Sequence, residues 1–388
     1  MEHSSELPED NIVDVLNRLP SRPLARFKCV SRRWHEYISE TIRSQKWRKF
    51  PTMMGFFFQN DELGSLGHIR FLFTTKKPEN FDDSLDESFQ YMDWDVAIVA
   101  SSNGFLLGSL NQKHPMRYCV YNPATTQCVA LPKTRRLYNS WALGFVCEPD
   151  EDDTCTDAIS FTVVRLGLPN SRVLLLNKLT IEIFSSATRS WKTIYINLNG
   201  QHLPLMLYRV DKRTPAVVIG KVFYWLDYLG RIIACDLAQR KFMLMNFPQG
   251  NVSDGRSRLL VVLNGQLCYA SINFSYLELW VINHCFLSRS VEWVLKDRVS
   301  IETLSMETFG FVDPPKYAML VGFHSTDTNV IYFSIWGHII SYRFDTGTVE
   351  LVFDFGESGK KIEDYKFYQY EWHKWPRVLP FLRGKQSM

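Results

Sequence analysis

The chain has 388 residues, of which 46% are hydrophobic and 22% charged, and its net charge at pH 7 is +3. A chain of this length is expected to hold more than one globular unit, and so small a charge gives no reason to expect a nucleic-acid partner. Aromatic residues make up 14% of the chain, which favours β structure. The polar, acidic start MEHSSELPED lacks the apolar core of a signal peptide, and no apolar run approaches the length of a membrane span. We therefore expect no membrane partner and a soluble protein of the cytoplasm, the nucleus or both.

The first predicted elements are three short helices within residues 7–39. Pro8 and the two acidic residues after it suit the first turn of a helix, where proline fits and the helix dipole is positive. Apolar residues then recur at helical spacing up to Pro20, which ends the first helix. Pro23 begins a second helix, and Ser31 is a candidate N-cap for a third.

This helical segment carries more apolar surface than it can bury by itself. About ten large apolar side chains occur in residues 7–39, and helices this short enclose little interior volume. The surplus surface must pack on the rest of the chain or on a partner. From Arg18 to Lys49 there are ten Lys or Arg and two Asp or Glu. This balance suits a solvated helix face or an acidic partner.

The same segment resembles an F-box. That motif opens with Leu-Pro and an acidic turn, continues through an Ile/Leu-rich helix to a second Leu-Pro, and closes with an aromatic residue, Val-Ser and Trp. The chain supplies these elements in order as Leu7-Pro8-Glu9-Asp10, Ile12, Val15, Leu16, Leu19-Pro20, Leu24, Phe27, Cys29-Val30-Ser31 and Trp34. It departs slightly from plant members, which often have Lys between the Ser and the Trp, because Arg32 and Arg33 stand here.

The resemblance implies a role for residues 1–48. They are expected to form an F-box that docks on a Skp-type adaptor and, through it, on the cullin and RING subunits of a ubiquitin ligase. The surplus apolar face is then the interface with the adaptor. The residues expected to form that interface are Leu7, Pro8, Ile12, Val15, Leu16, Leu19, Pro20, Leu24, Phe27, Val30 and Trp34.

A repeated β pattern occupies most of the remaining chain. In each repeat an apolar strand, a short polar turn and a second apolar strand form a hairpin, and another strand precedes most of them. The hairpins lie at 117–132, 179–194, 231–248, 277–295 and 339–355. Four equivalent turn positions hold residues whose side chains bond nearby backbone amides, namely Asn122, Ser185, Asp236 and Asp345.

Repeats of this size and period predict a β-propeller. Counting a degenerate first unit at residues 53–75, we expect about six irregular blades, with residues 365–372 forming a strand that closes the ring onto the first blade. The predicted fold class is α+β, with a small three-helix F-box followed by a large all-β domain. An irregular β-sandwich stays open as the alternative, because no WD or complete kelch signature occurs.

The β region also resembles the F-box-associated domain of a large plant family. SSNGFLLGSL and YCVYNPATTQCVALPK, within residues 101–133, are similar to that family's Gly-Leu-rich strand, Asn-Pro-Thr-Thr turn and Leu-Pro. Residues 143–164 depart from the family by an acidic insertion and by FTVV in place of Tyr-Lys-Val-Val. The resemblance implies a kelch-like, substrate-binding propeller over residues 49–375 and a C-terminal tail over 376–388.

No sequence motif for catalysis or metal binding is found. The chain lacks P-loop, GxSxG, HExxH and GxGxxG patterns. Its eight Cys and nine His are dispersed without the spacing of a zinc site. We therefore expect a non-catalytic protein with no metal and no cofactor, whose cysteines are buried thiols.

The predicted function is that of a substrate receptor in a Skp–cullin–F-box ubiquitin ligase, which binds an unknown target protein through the β domain. Aromatic side chains are common at protein interfaces, and those expected to line a central or top-face pocket are Trp141, Trp225, Tyr228, Trp280 and Trp336. Three alternatives stay open. They are an adaptor-bound scaffold, a propeller that binds a ligand or carbohydrate without a role in ubiquitination, and a propeller enzyme.

Overall fold

The structure is a computed structural model of the whole chain. The residues that it describes are 9–18, 27, 29–43, 52–60, 69–74, 96–110, 117–134, 141–149, 159–167, 178–197, 214–227, 230–248, 258–272, 275–283, 291–304, 318–355, 362–372 and 379–380.

The described N-terminal residues form two α-helices, α1 (Glu9–Arg18) and α2 (Arg32–Arg43), which contact each other. The predicted three-helix F-box, and with it the α+β class, is wrong, because the described residues show two short α-helices ahead of a region that is mainly β. Residues 19–26, where the middle helix was predicted, lie outside the described residues. The described residues that follow them show one helical residue, Phe27, and then a turn. Pro23 can begin a helix, but an isolated helix as short as the predicted middle one is stable only when it packs on other residues.

The rest of the described chain forms six antiparallel sheets, the blades of a propeller. Blade 1 has three strands, β1 (Thr52–Asn60), β2 (Arg70–Phe73) and β23 (Tyr365–Trp372), and each other blade has four. Blade 2 contains β3 (Val96–Ser102), β4 (Phe105–Leu110), β5 (Arg117–Asn122) and β6 (Gln127–Ala130). Blade 3 contains β7 (Trp141–Pro149), β8 (Ile159–Gly167), β9 (Lys178–Ser185) and β10 (Ser190–Asn197).

Blades 4 to 6 follow in chain order with the same topology. Blade 4 contains β11 (Val217–Ile219), β12 (Val222–Leu226), β13 (Arg231–Asp236) and β14 (Lys241–Asn246). Blade 5 contains β15 (Arg258–Leu263), β16 (Gln266–Ile272), β17 (Tyr276–Ile282) and β18 (Trp293–Ser300). Blade 6 contains β19 (Ala318–Phe323), β20 (Val330–Ile335), β21 (His338–Arg343) and β22 (Val349–Asp354). A 3₁₀ helix, Ile362–Asp364, leads into β23.

One strand from each blade lines the centre of the ring. β23, β3, β7, β11, β15 and β19 each contact the next, and β19 contacts β23 again, so the ring is closed. We call the face on which these six inner strands begin the upper face, and the opposite one the lower face. Because neighbouring strands are antiparallel, the first and third strands of each blade, counted outwards from the centre of the ring, start at the upper face.

The last strand of the chain completes the first blade. β23 pairs with β1 over most of its length, from Thr52 opposite Trp372 to Asn60 opposite Tyr365. This pairing confirms the prediction that residues 365–372 close the ring. The rings of Phe57 on β1 and Tyr370 on β23 lie 5.0 Å apart, edge to face, within a cluster shared with blade 2.

The hydrophobic core is divided among the interfaces between blades. Each of the six interfaces between neighbouring blades has its own apolar cluster of buried side chains. The cluster between blades 3 and 4 is an example, with Leu166 and Trp225 both fully buried. A six-membered ring of such interfaces excludes the β-sandwich alternative.

Two of the four predicted turn residues, Asn122 and Asp236, stabilise hairpin turns through backbone amides, whereas the Asp345 carboxylate accepts from the side chains of Asn329 and Arg343. The Oδ1 atom of Asn122 accepts a hydrogen bond from the Ala124 N–H at 3.0 Å. The Oδ1 atom of Asp236 accepts two, from the N–H groups of Ala238 and Gln239, both at 2.8 Å. These side chains satisfy backbone donors that the turn leaves unpaired.

Candidate binding surfaces

The first surface is the pair of helices at the N-terminus. Ser31 begins α2 as predicted, since its Oγ accepts a hydrogen bond from the Trp34 N–H at 3.1 Å. Trp34 then packs edge to face on Phe27, with ring centres 5.6 Å apart. These contacts bring the aromatic end of the motif against the apolar side of α1.

Two of the described side chains of the helix pair are fully buried. Leu16 on α1 and Ile38 on α2 are both 0% exposed, and they form a cluster with the partly buried residues Ile12, Phe27, Trp34 and Tyr37. Leu16 is therefore a core residue of this unit, although the sequence placed it among the adaptor contacts. Its substitution is expected to disturb the helix pair itself.

Two predicted interface residues remain at the surface. Val15 is 55% exposed and Val30 is 62% exposed, among the most exposed of the large apolar residues described. Five other predicted contacts, Leu7, Pro8, Leu19, Pro20 and Leu24, lie outside the described residues. The described structure thus separates the predicted set into a small internal core and an exposed apolar surface.

The second surface is the upper face of the propeller. Two long connections between strands, residues 198–216 and 301–317, join strand ends at this face. The longest, residues 74–95, joins the lower end of β2 to the upper end of β3. The lower face has tight turns such as Asn103-Gly104, Gly220-Lys221 and Asn264-Gly265. Long connections supported by a rigid scaffold are common sites of recognition.

Exposed aromatic residues of the described propeller also lie towards the upper face. They are Tyr195 near the end of β10, Tyr276 at the start of β17, Trp336 in the turn after β20, and Phe353 near the end of β22. Two have a cation over the ring, Lys178 at 4.6 Å from the Tyr195 centroid and Arg298 at 4.4 Å from that of Tyr276.

Trp336 has an unusual backbone conformation. Its φ is 55°, in the left-handed region that is rare for a bulky side chain. The same positive φ occurs at Asn103 and Asn264 in the tight turns of other blades, where asparagine tolerates it. Bulky residues in this region of backbone space are uncommon, and such outliers cluster at functional sites.

The other predicted substrate-binding aromatics have different positions. Trp225 is fully buried and its Nε1 donates to the Leu143 carbonyl at 3.0 Å, while Trp141 is 6% exposed. Trp280 is partly buried, with its Nε1 3.4 Å from Oε2 of Glu278. Tyr228 lies outside the described residues. Trp225 therefore belongs to the interface between blades 3 and 4, and Trp141 packs against Arg165 of its own blade. Of the predicted aromatics that the structure describes, Trp336 is the most exposed.

The third candidate is the channel along the propeller axis. It has a volume of about 780 Å³ and is lined by inner strands from all six blades. Its wall is mostly apolar, with Arg258 and Thr214 near the upper end and Gln369 and Glu371 towards the lower end. Burial raises the pKa of Glu371, although a hydrogen bond from Gln369 Nε2 at 3.2 Å opposes that shift.

The described residues show no cluster of three or more His, Cys, Asp or Glu able to hold a metal ion. Within the same ranges, no helix is long and apolar enough to cross a membrane.

Comparison with known families identifies the two parts of the chain. A model of the F-box domain matches residues 4–43. A second model, described as F-box protein At3g26010-like, beta-propeller, matches residues 76–369. The chain belongs to this family of F-box proteins. The resemblance that the sequence predicted is therefore confirmed for the F-box and for the propeller that follows it.

Relatives of full length support the same assignment. F-box protein At5g03970 of Arabidopsis thaliana is 23% identical over 95% of this chain and 88% of its own. F-box protein At5g07610 of the same organism is 24% identical over 97% of this chain and 91% of its own. F-box domains generally bind Skp-type adaptors, so an F-box joined to a propeller suggests the role of a substrate receptor.

Proposed function

We propose that this protein is the substrate receptor of a Skp–cullin–F-box ubiquitin ligase. The F-box helices dock on a Skp-type adaptor, and the upper face of the propeller binds the target protein. The observation that carries this proposal is the match of the F-box model to a helix pair whose apolar residues Val15 and Val30 stay exposed.

A bound partner is expected to stabilise the helix pair. Units as small as this helix pair usually need stabilisation beyond their own core. An adaptor that covers Val15 and Val30 removes apolar surface from water and adds to the stability of both helices. The many Lys and Arg residues between Arg18 and Lys49 favour an acidic adaptor surface.

The connectivity separates the two binding surfaces. The helix pair ends at Arg43 and β1 begins at Thr52, on the lower face. The eight residues between them span at most about 30 Å. The chain thus enters the propeller at the lower face, which favours the upper face, with its long connections and exposed aromatics, as the surface for the substrate.

In this role the chain performs no chemistry of its own. It brings the lysines of a bound substrate close to a ubiquitin-charged enzyme held by the same complex, which raises their effective concentration. The cullin and RING subunits are partners through the adaptor, and the substrate is a protein.

Adaptor docking is tested by co-purification of the full chain with a Skp-type adaptor. Val15→Asp and Val30→Asp place a charge on the proposed interface and are expected to weaken the complex at least tenfold, since a charge desolvated without a partner is costly. Val294→Asp is the matched control, because Val294 is 45% exposed on an outer strand of blade 5. Full adaptor binding by both F-box variants contradicts the proposal.

Substrate binding is tested separately with Trp336→Asn. Asparagine suits the positive φ of this turn, so the variant should fold at least as well as the native chain. Proteins whose ubiquitination depends on the native receptor should lose it with Trp336→Asn, while adaptor binding is unchanged. Unchanged ubiquitination of those proteins would place the substrate surface elsewhere.

A further inference from the structure

Two described arginines of the propeller are buried, and their surroundings differ. Arg165 on β8 is 1% exposed, and its Nη1 donates to Oε2 of Glu182 at 2.7 Å, so a buried carboxylate balances its charge. The guanidinium also lies 3.8 Å from the centre of the Trp141 ring. Arg258 at the start of β15 is 6% exposed, and no described carboxylate forms an ion pair with it.

The hydrogen-bonding capacity of Arg258 is mostly unused in the described structure. Its Nη1 reaches the backbone carbonyl of Asp227 at 3.5 Å, and its Nε is buried without a hydrogen-bond partner. The carboxylate of Asp227 is bound to Arg231, whose Nε and Nη2 lie 2.9 and 2.8 Å from Oδ2. The ring of Phe247, with its centre 5.2 Å from the Arg258 guanidinium, covers another side. Burial of a cation with so few partners is costly unless an anion joins it.

Arg258 lines the central channel, and a second unsatisfied group lies near it. Thr214, just before β11, lines the same channel, and its Oγ1 is buried with no hydrogen-bond partner among the described residues. β11 and β15 are neighbours in the ring, and both residues stand where these strands begin. The upper end of the channel therefore offers a guanidinium and a hydroxyl, both able to donate to an anion.

The channel wall beside these donors is apolar. Leu226, Leu260 and Met319 line it, and its volume of about 780 Å³ lies in the usual range for sites of small organic ligands. A single buried guanidinium suits one negative charge, and a planar group such as a carboxylate matches its geometry.

We propose that the central channel binds a small organic monoanion, with its acidic group on Arg258 and Thr214 and its apolar body along the channel. This site is separate from the adaptor interface and does not depend on it. The receptor thus has a ligand site at its centre, directly below the surface proposed for the substrate.

The test uses two fluorescent probes that differ mainly in charge. 8-Anilinonaphthalene-1-sulfonate is an aromatic monoanion, and N-phenyl-1-naphthylamine is its neutral counterpart. Both are titrated into the folded full chain, and their dissociation constants are compared. Arg258→Met is expected to weaken binding of the anion at least tenfold, in line with the loss of a charged hydrogen bond, and binding of the neutral probe less than twofold.

Three further variants make the result decisive. Arg117→Met removes an exposed arginine outside the channel and should leave both dissociation constants unchanged. Thr214→Val should weaken the anion alone by a few-fold, and it replaces Arg258→Met if that variant does not fold. Val261→Trp fills the channel at an inner strand and should abolish binding of both probes.

Equal affinity of the anion for the native chain and for Arg258→Met or Thr214→Val overturns the proposal. A parallel loss of both probes in these variants also overturns it, because the site is then merely apolar. Retention of both probes by Val261→Trp places their binding outside the channel, with the same consequence.

Discussion

The helix pair and the propeller differ in the buried apolar clusters that the structure describes for each. In the helix pair, Leu16 and Ile38 are the fully buried side chains of the described cluster. In the propeller, six apolar clusters support one another around a closed ring. The difference teaches that the propeller is stabilised by many contacts of its own, whereas a pair of short helices has little interior volume for such contacts.

The largest effect is expected from opening the ring. Removal of residues 362–388 deletes β23, the inner strand of blade 1, and leaves the apolar faces of β1 and of blades 2 and 6 uncovered. We expect loss of the cooperative unfolding transition, that is, of the whole stability of about 5–15 kcal/mol typical of a domain. Circular dichroism during heating, together with gel filtration, measures this. Removal of residues 381–388 alone is the control and should leave the transition in place.

A smaller but substantial effect is expected at the buried ion pair of blade 3. Glu182→Gln leaves the Arg165 guanidinium buried without its counter-charge, and should cost roughly 3–5 kcal/mol in the free energy of unfolding. Urea denaturation measures the loss. The double variant Arg165→Met/Glu182→Leu should recover most of it, since no charge stays buried. An unchanged unfolding midpoint for Glu182→Gln would show that the pair contributes little.

In the helix pair, Leu16→Ala is expected to cost roughly 2–5 kcal/mol, the usual range for a buried leucine. A pair of short helices has little stability to lose, so α1 and α2 should unfold while the propeller keeps its melting temperature. Hydrogen exchange of the backbone amides in both regions distinguishes these outcomes. Val15→Ala is the control at an exposed neighbour. Joint destabilisation of helices and propeller would mean that the two regions are coupled.

The smallest effect is a dependence on pH at Glu371. Burial raises the pKa of this carboxyl in the folded state above its ordinary value of 4.5. The folded chain therefore holds the proton more tightly than the unfolded chain, and stability falls as the pH rises from about 4.5 through the raised pKa. Glu371→Gln should remove this fall, so that its melting temperature exceeds that of the native chain near neutral pH. Identical pH profiles would contradict this assignment, and Glu350→Gln is the exposed control.

Features that depend on local spacing were predictable from the sequence. The turn residues Asn122 and Asp236 recur at equivalent positions, and their side chains bond the backbone amides two or three residues later. The closing strand, residues 365–372, was recognisable because it is rich in aromatic residues and is left over after the repeats. The residues of the F-box motif, which occur in the expected order along the chain, also lie within one short segment.

Features that depend on contacts between distant residues were not predictable. Trp225 and Trp336 are both aromatic and both near strand ends, yet one is fully buried and the other 40% exposed. Tyr195, Tyr276 and Phe353 were missed as exposed residues, because nothing local marks the outer edge of a blade. Arg258 was missed because a basic residue ahead of an apolar strand is ordinarily at the surface.

By itself, the sequence determined the repeat, the turns and the family, since each depends on residues close together in the chain. Tertiary structure alone decided which arginine has a carboxylate partner, which aromatics remain exposed, and which face has the long connections. The physical reason is that burial and charge pairing depend on which blades become neighbours, and blade 1 becomes a neighbour of blade 6 only when β23 returns to pair with β1.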